Sequence, residues 1–276
     1  MSPDASDPTQ YSILSTEYSV EEVVARYYDL EHDPLSADVA LYCELARASG
    51  GGPVLELGCG TGRVLAGLLR SGHAAVGVDR SPAMLARAAE RLRTLDPAGE
   101  RWRLVAADVR DLALGDRFRL VLAPLDLLGY FAAVDEQLQV LTAVRRHLYP
   151  EGQLAIDVAF PPGAFLGQPE GVLVHQWTHR EPTGALVTKW WVRQVDAARQ
   201  LQHLTALYDV AAPDGTLRRW ADELTLRYYY RYELEWLLER ARFRVEGTYG
   251  GYAFEELAGD SARLVVLARA AGAAAG

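Results

Sequence analysis

The stretch Val54 to Arg63, VLELGCGTGR, constrains the fold more than any other part of the chain. An apolar run carries one acid, Glu56, and is followed by glycines at alternate positions, Gly58, Gly60 and Gly62. Read locally, this is a buried strand that turns sharply into a helix. Residues without a Cβ let a ligand lie close against the backbone of the turn.

The surrounding pattern repeats that unit. After VLELG and a helix over Arg63–Arg70 come the strand AAVGVD and a helix from Ala83 to Arg93, which Ser81 caps and Pro82 starts. WRLVAAD, RLVLAPL and QLAIDVA read as further strands, with an amphipathic helix from Asp135 to Leu148 ended by Pro150 and Gly152. Near-continuous apolar strands alternating with helices indicate an α/β fold whose parallel sheet is covered on both faces. Half of the 276 residues are hydrophobic, enough for a sizeable core. Upstream, Ser19 and Glu22 form a capping box for a first helix, and Ala37–Ala48 reads as a second. Residues 172 to 230 break the rhythm: VLVHQWTH, LVTKWWVRQV, LQHLTALYDV and ADELTLRYYY read as antiparallel strands with turns at EPTG and PDG. A helix at YELEWLLERA and two closing strands follow. The polar first fifteen or so residues and the tail AAGAAAG are expected to lie outside the packed body.

Three strand ends carry the chemistry. The dinucleotide fingerprint G-x-G-x-x-G wants glycine where Arg63 stands, so the loop is instead E-x-G-x-G-x-G. Asp79 ends the second strand and suits the two hydroxyls of a ribose. Asp108 ends the third, beside Val109, and suits the exocyclic amine of adenine. Each acid singly also suits a helix cap, and Met84 also suits an ordinary core position. In order and spacing, VLELGCGTGR, VGVDRSPAML, AADVRDL and LYPEGQLAIDV together resemble the class I S-adenosylmethionine-dependent methyltransferases over residues 50 to about 160.

That resemblance implies a Rossmann-like, seven-stranded, mostly parallel sheet with a reversed terminal hairpin, and an antiparallel β lid inserted after strand five. The expected organisation is an N-terminal helical flap (1–49), a donor-binding core (50–160 and 231–270) and a lid (161–230). The cofactor implied is S-adenosylmethionine. Gly58, Gly60 and Gly62 would admit its methionine and ribose, and Glu56 would orient the loop or meet its amino group. Asp79 would bind the ribose and Met84 the adenine face. Asp108 and Val109 would hold the adenine edge. Leu125 would line the methyl side, and Tyr28 would close over the site.

In-line methyl transfer requires alignment and desolvation first, and a base only where the nucleophile must lose a proton. Candidate catalytic residues are Asp126 and Tyr130 after strand four, and His175 and His179 in the insert. Strand alternation places His175, Trp177 and His179 on one face, which looks either into the pocket or to solvent or an oligomer surface. The insert resembles the β lid of sugar N,N-dimethyltransferases and, more loosely, glycine N-methyltransferase. DLLGYF places Tyr130 where the sugar enzymes carry a histidine. No metal site is expected, since Asp126 stands alone near strand four.

The expected reaction is therefore methyl transfer to an oxygen or nitrogen of a small molecule, of secondary-metabolite or sugar-like type. The alternatives are a non-catalytic protein binding the donor or its product, and an NAD-dependent oxidoreductase. A net charge of −9 argues against nucleic acid as partner. Two cysteines, Cys43 and Cys59, make no disulfide framework, no apolar run has membrane-spanning length, and MSPDASDPTQ is not a signal peptide, so a cytoplasmic setting is expected. Whether the chain forms a homodimer is left open.

Overall fold

The computed structural model describes residues 18–161 and 169–271. The expectations for the polar leader and for the tail beyond residue 271 fall outside those residues. Helices α1 (Val20–His32) and α2 (Ala37–Ala48) precede a βα succession: β1 (Val54–Leu57), α3 (Arg63–Arg70), β2 (Ala75–Asp79), α4 (Pro82–Arg93), β3 (Trp102–Ala106) and β4 (Phe118–Ala123). Then come α5 (Val134–His147), β5 (Leu148–Ala159), the strands β6 (Val174–Arg180), β7 (Leu186–Asp196), β8 (Leu201–Ala211) and β9 (Leu217–Arg227), and finally α6 (Arg231–Arg240), β10 (Phe243–Tyr249) and β11 (Arg263–Ala270). The Ser19 hydroxyl accepts from the Glu22 amide at 3.2 Å, and the Glu22 carboxylate accepts from the Ser19 amide at 2.7 Å, so the capping box starts α1 as its spacing requires.

Seven strands form one sheet in the order β3-β2-β1-β4-β5-β11-β10. All neighbours from β3 to β5 run parallel, while β11 runs antiparallel to both β5 and β10. Consecutive residues of one strand serve opposite faces. Leu120 and Leu122 join the core under α2 and α3, whereas Val121 and Ala123 join the core that contains residues of α5 and α6. This two-sided burial is why the strands read as unbroken apolar runs. One boundary differs from expectation. β5 begins at Leu148, ahead of Pro150, because Leu148 pairs with Phe118 across a register shift that leaves the proline outside the regular ladder.

The other four strands form an antiparallel meander, β6-β7-β8-β9. Its inner face, with Val187, Ala206, Tyr208 and Val210, packs on Val23 and Tyr27 of α1. Helix α1 thus sits between the meander and the larger sheet. No helix of the described residues is long and apolar enough to cross a membrane.

The α2–α3 contact depends on a missing methyl group. A Cβ on Gly67 would stand 2.2 Å from Val39 Cγ1. In an open helix Gly→Ala stabilises by up to ~1 kcal/mol, but Gly67→Ala should destabilise by ~1–3 kcal/mol through overpacking. Val39→Ala in the same chain should recover most of that loss, which denaturant melts of the two single variants and the double variant would measure. Gly67→Ala melting at or above the parent would contradict this packing.

Candidate active site

A cleft of about 760 Å³ opens at the carboxyl ends of β1, β2 and β4 and beyond the end of β3, within the range of small-molecule sites. Its floor is the loop after β1 with Asp79, Asp108 and Leu125. Its roof comes from α1, through Glu21, Val24 and Tyr28, and from β9, through Asp222 and Leu224.

The loop needs its glycines. Gly58 has φ of +62°, and a Cβ there would lie 2.6 Å from Leu127 Cδ1, so Leu127 can seal the floor only against glycine. Gly62, at φ +78°, is the N-cap of α3, and a Cβ there would crowd Ala88 of α4 at 3.1 Å from its Cβ. It does not line the cleft; it lets α3 and α4 approach. Gly60 lies beneath the Tyr28 ring, which stacks on His32 at 3.8 Å between centroids.

Each acid at a strand end is oriented by backbone amides. Asp79 accepts from the Gly60 amide at 2.8 Å and the Ser81 amide at 2.9 Å, and keeps its remaining lone pairs toward the cleft. Asp108 caps the short turn Val109–Asp111, and Arg110 grips it at 3.0 and 2.7 Å, holding its carboxyl below the usual range. Glu56 is 2% exposed, and its Oε2 has no hydrogen-bond partner. Burial drives its pKa well above the carboxylate range despite the opposing pull of Arg63. Arg63 itself is buried against the Asp38 carboxylate and donates to the Leu35 carbonyl at 2.7 Å. The position that a dinucleotide loop keeps as glycine is therefore filled by a cation tying α3 to α2, a departure from the dinucleotide fingerprint. Cys59 is buried, with its thiol pushed up by burial, and Cys43 is likewise buried and unpaired.

The structure brings Glu56, Gly58, Gly60, Asp79, Met84, Asp108, Val109, Leu125, Tyr28 and Tyr130 to this one cleft. Three expected catalytic residues lie elsewhere. Asp126 turns away: it accepts from the Ala159 amide and from Arg263 at 3.0 Å. His175 and His179 do not line the cleft. A register shift between His175 and Trp177 sets them beside Trp190 and Lys189, adjacent residues of β7, so the bulge sends the two side chains to opposite faces. Trp177 packs inward on Tyr27 and Tyr208, while exposed His175 packs edge-on against Trp190 and bonds Thr178 at 2.9 Å. His179 shares the inner face with Val187 but stays out of reach of the cleft. Sequence periodicity carries no mark of the bulge.

Tyr130 is open to the cleft, yet desolvation and the carboxylates of Asp126, Asp222 and Asp79 push its phenol up to about 12, so it holds its proton at neutral pH. Residues that sequence reading missed include Arg80, Glu136, Asp222 and Asp29. Asp29 of α1 accepts from the Thr61 hydroxyl at 2.5 Å and from Arg87 and Arg91 of α4 at 3.1 and 2.9 Å, which ties the roof helix to the glycine loop.

Beneath the turn after β4, Leu125 and Asp126 both adopt positive φ, +45° and +67°. Asp157, fully buried, holds that turn: it accepts from the Leu125 amide at 3.2 Å, from Arg263 Nε at 2.6 Å and from the Tyr252 hydroxyl at 2.7 Å. Arg263→Met strands Asp157 as a buried charge and should destabilise by ~3–5 kcal/mol in denaturant melts. A change under 1 kcal/mol would mean that this clamp does not hold the turn.

The comparisons agree with this geometry. A methyltransferase-domain family model matches residues 54–152. The dTDP-3-amino-3,4,6-trideoxy-α-D-glucopyranose N,N-dimethyltransferase of Streptomyces venezuelae is 26% identical over 198 residues, covering 72% of this chain and 78% of that one. Among solved structures, the CcbJ methyltransferase of Streptomyces caelestis superposes with a TM-score of 0.72 at 27% identity, over 90% of this chain and 96% of that one. An S-adenosylmethionine-dependent methyltransferase of Clostridium acetobutylicum shares the fold, with a TM-score of 0.73 at 20% identity over 91% and 98% of the two chains. A sheet of this order, closed by a reversed strand and matched in both sequence and shape, makes the chain similar to the class I S-adenosylmethionine-dependent methyltransferases, with residues 54–152 matching the methyltransferase domain itself.

Proposed function

We propose that this chain transfers a methyl group from S-adenosylmethionine to a nitrogen or oxygen of a small molecule held in the same cleft. The observation that carries the reading is the pair of unspent acceptors on the cleft floor: the orphaned Glu56 Oε2 and the amide-oriented Asp79 carboxylate, on either side of the glycine loop. They fit the two polar ends of the donor. Glu56 would take the cationic amino group of its methionine part and Asp79 its ribose hydroxyls, with Met84 and Val109 beside the adenine and Leu125 on the methyl side. When bound, the donor supplies an electrophilic methyl group on a sulfonium. The protein's own contribution is alignment and exclusion of water. Tyr28 and Val24 roof the cleft from α1, and Leu224 from β9.

In this reading residues 1–49 and 161–230 serve as flap and lid on the core of 50–160 and 231–270. A cleft of about 760 Å³ suits a small acceptor. The N,N-dimethyltransferase relative favours nitrogen, and with no histidine among the described residues that line the cleft, a hydroxyl acceptor lacks the usual base there. The setting is taken to be cytoplasmic, where Cys43 and Cys59 stay reduced.

Calorimetry with S-adenosylhomocysteine tests the site. Asp79→Ala should weaken binding by at least ~100-fold, the loss of two charge-assisted hydrogen bonds, and NAD should not bind. Unchanged affinity in Asp79→Ala would refute the assignment. Glu56 adds a pH signature. Its raised pKa keeps it protonated in the free protein at low pH, and a bound ammonium pulls the proton off. Affinity should therefore increase as pH rises through that elevated pKa, with net proton release seen across buffers of different ionisation enthalpy. Glu56→Gln should abolish the release, whereas release persisting in that variant would place the ammonium elsewhere.

A further inference from the structure

Six carboxylates line the cleft: Glu21, Glu56, Asp79, Asp108, Glu136 and Asp222. Four are already accounted for. Asp79 is held by two amides, Asp108 and Glu136 both bridge to Arg110, and Glu56 is buried beneath the glycine loop. Glu21 and Asp222 carry no hydrogen bond or ion pair within the described residues, and of the two Asp222 is the more buried. It lies on β9 opposite Ala206, whose side chain belongs to the core against α1. Its neighbours two residues either way, Trp220 and Leu224, share that face, Trp220 packing toward α1 and Leu224 lining the cleft. Asp222 thus enters from the lid strand, across the cleft from the donor loop.

We propose that Asp222 holds the acceptor as an ammonium ion and removes its proton ahead of methyl transfer. The proposal rests on the reading of the cleft given above and names the acceptor as an amine. An amine at neutral pH arrives protonated, without the lone pair it needs. The N–H proton passes to the Asp222 carboxylate, leaving a neutral amine and a carboxylic acid. The nitrogen lone pair then forms the N–C bond as the donor's C–S bond breaks. The bonding pair returns to sulfur, the positive charge moves to nitrogen, and Asp222 gives its proton to solvent. A carboxylate cannot ionise an alcohol, so the same group selects amine over hydroxyl.

The surroundings suit this step. Burial, with Glu21 of α1, raises the pKa of Asp222 from its ordinary value, while Lys189 of β7 and Arg80 after β2 oppose the shift. A raised value brings the base nearer its substrate's own pKa. The phenols of Tyr130 and Tyr208 face Asp222, stay protonated and leave it as the titrating group. Tyr130 adds an aromatic ring beside which a cation is favoured.

Two measurements decide it. Sinefungin places an ammonium where the donor carries its transferable methyl group, so its affinity relative to S-adenosylhomocysteine reads the local charge without any acceptor. Asp222→Asn should lower that ratio on the order of five-fold and leave S-adenosylhomocysteine affinity within two-fold. An unchanged ratio overturns the proposal alone. Failure of the unsubstituted protein to bind either ligand overturns the methyltransferase site and the proposal with it. With amino sugars, free and nucleotide-linked, as probes, Asp222→Asn should lower kcat/KM about 100-fold and Asp222→Glu should restore part of it, while the matching hydroxy sugars stay unmethylated. Undiminished kcat/KM in Asp222→Asn, or preferential methylation of the hydroxy sugars, overturns it.

Discussion

Two hydrogen bonds, from the amides of Gly60 and Ser81 to the carboxylate of Asp79, join the turns after the first and second strands, and the cleft is built around that joint. A carboxylate at the end of a buried strand would otherwise swing freely into solvent. Here both oxygens are fixed, the glycine loop is held against β2, and the remaining lone pairs face the cavity. The sheet dictates this placement. Both faces of the parallel strands are consumed by helices, so polar side chains can converge only where the strands end.

The roof is built differently from the floor. Helix α1 meets the four-stranded meander through an apolar seam, reinforced where Tyr27 donates to Glu181 at 2.9 Å and where Glu31 pairs with Lys189. Its seam with the core is polar, made by Asp29 and Asp33 with Thr61, Arg87 and Arg91. Charge pairs at partly exposed positions contribute little each, while buried apolar area contributes steadily. The helix therefore belongs energetically with the meander, and the cleft lies at the boundary between the two bodies.

What was legible in the sequence follows from the range of the interactions involved. The capping box of α1, the loop E-x-G-x-G-x-G and the acids ending β2 and β3 are local, and their residues meet in the cleft. The reversed terminal strand was legible through family resemblance. Residues set by distant pairing were not. The bulge at Gln176 undoes the alternation that grouped His175 with Trp177, and nothing in VHQWTHR marks it. Asp126 looks like a candidate base until Arg263, far along the chain, is seen to engage it. Asp222 sits in an ordinary strand pattern, WADELTLR, and acquires its place only through the register of β9 on β8. Arg80 and Asp29 likewise depend on how α1 and α4 pack.

The most direct measurement is a crystal structure with S-adenosylhomocysteine bound. The account predicts the ribose hydroxyls within hydrogen-bond distance of Asp79, the amino group against Glu56 Oε2, and the sulfur facing the space between Tyr130 and Asp222. A nucleoside bound away from Asp79, or an amino group held by any residue other than Glu56, would contradict it.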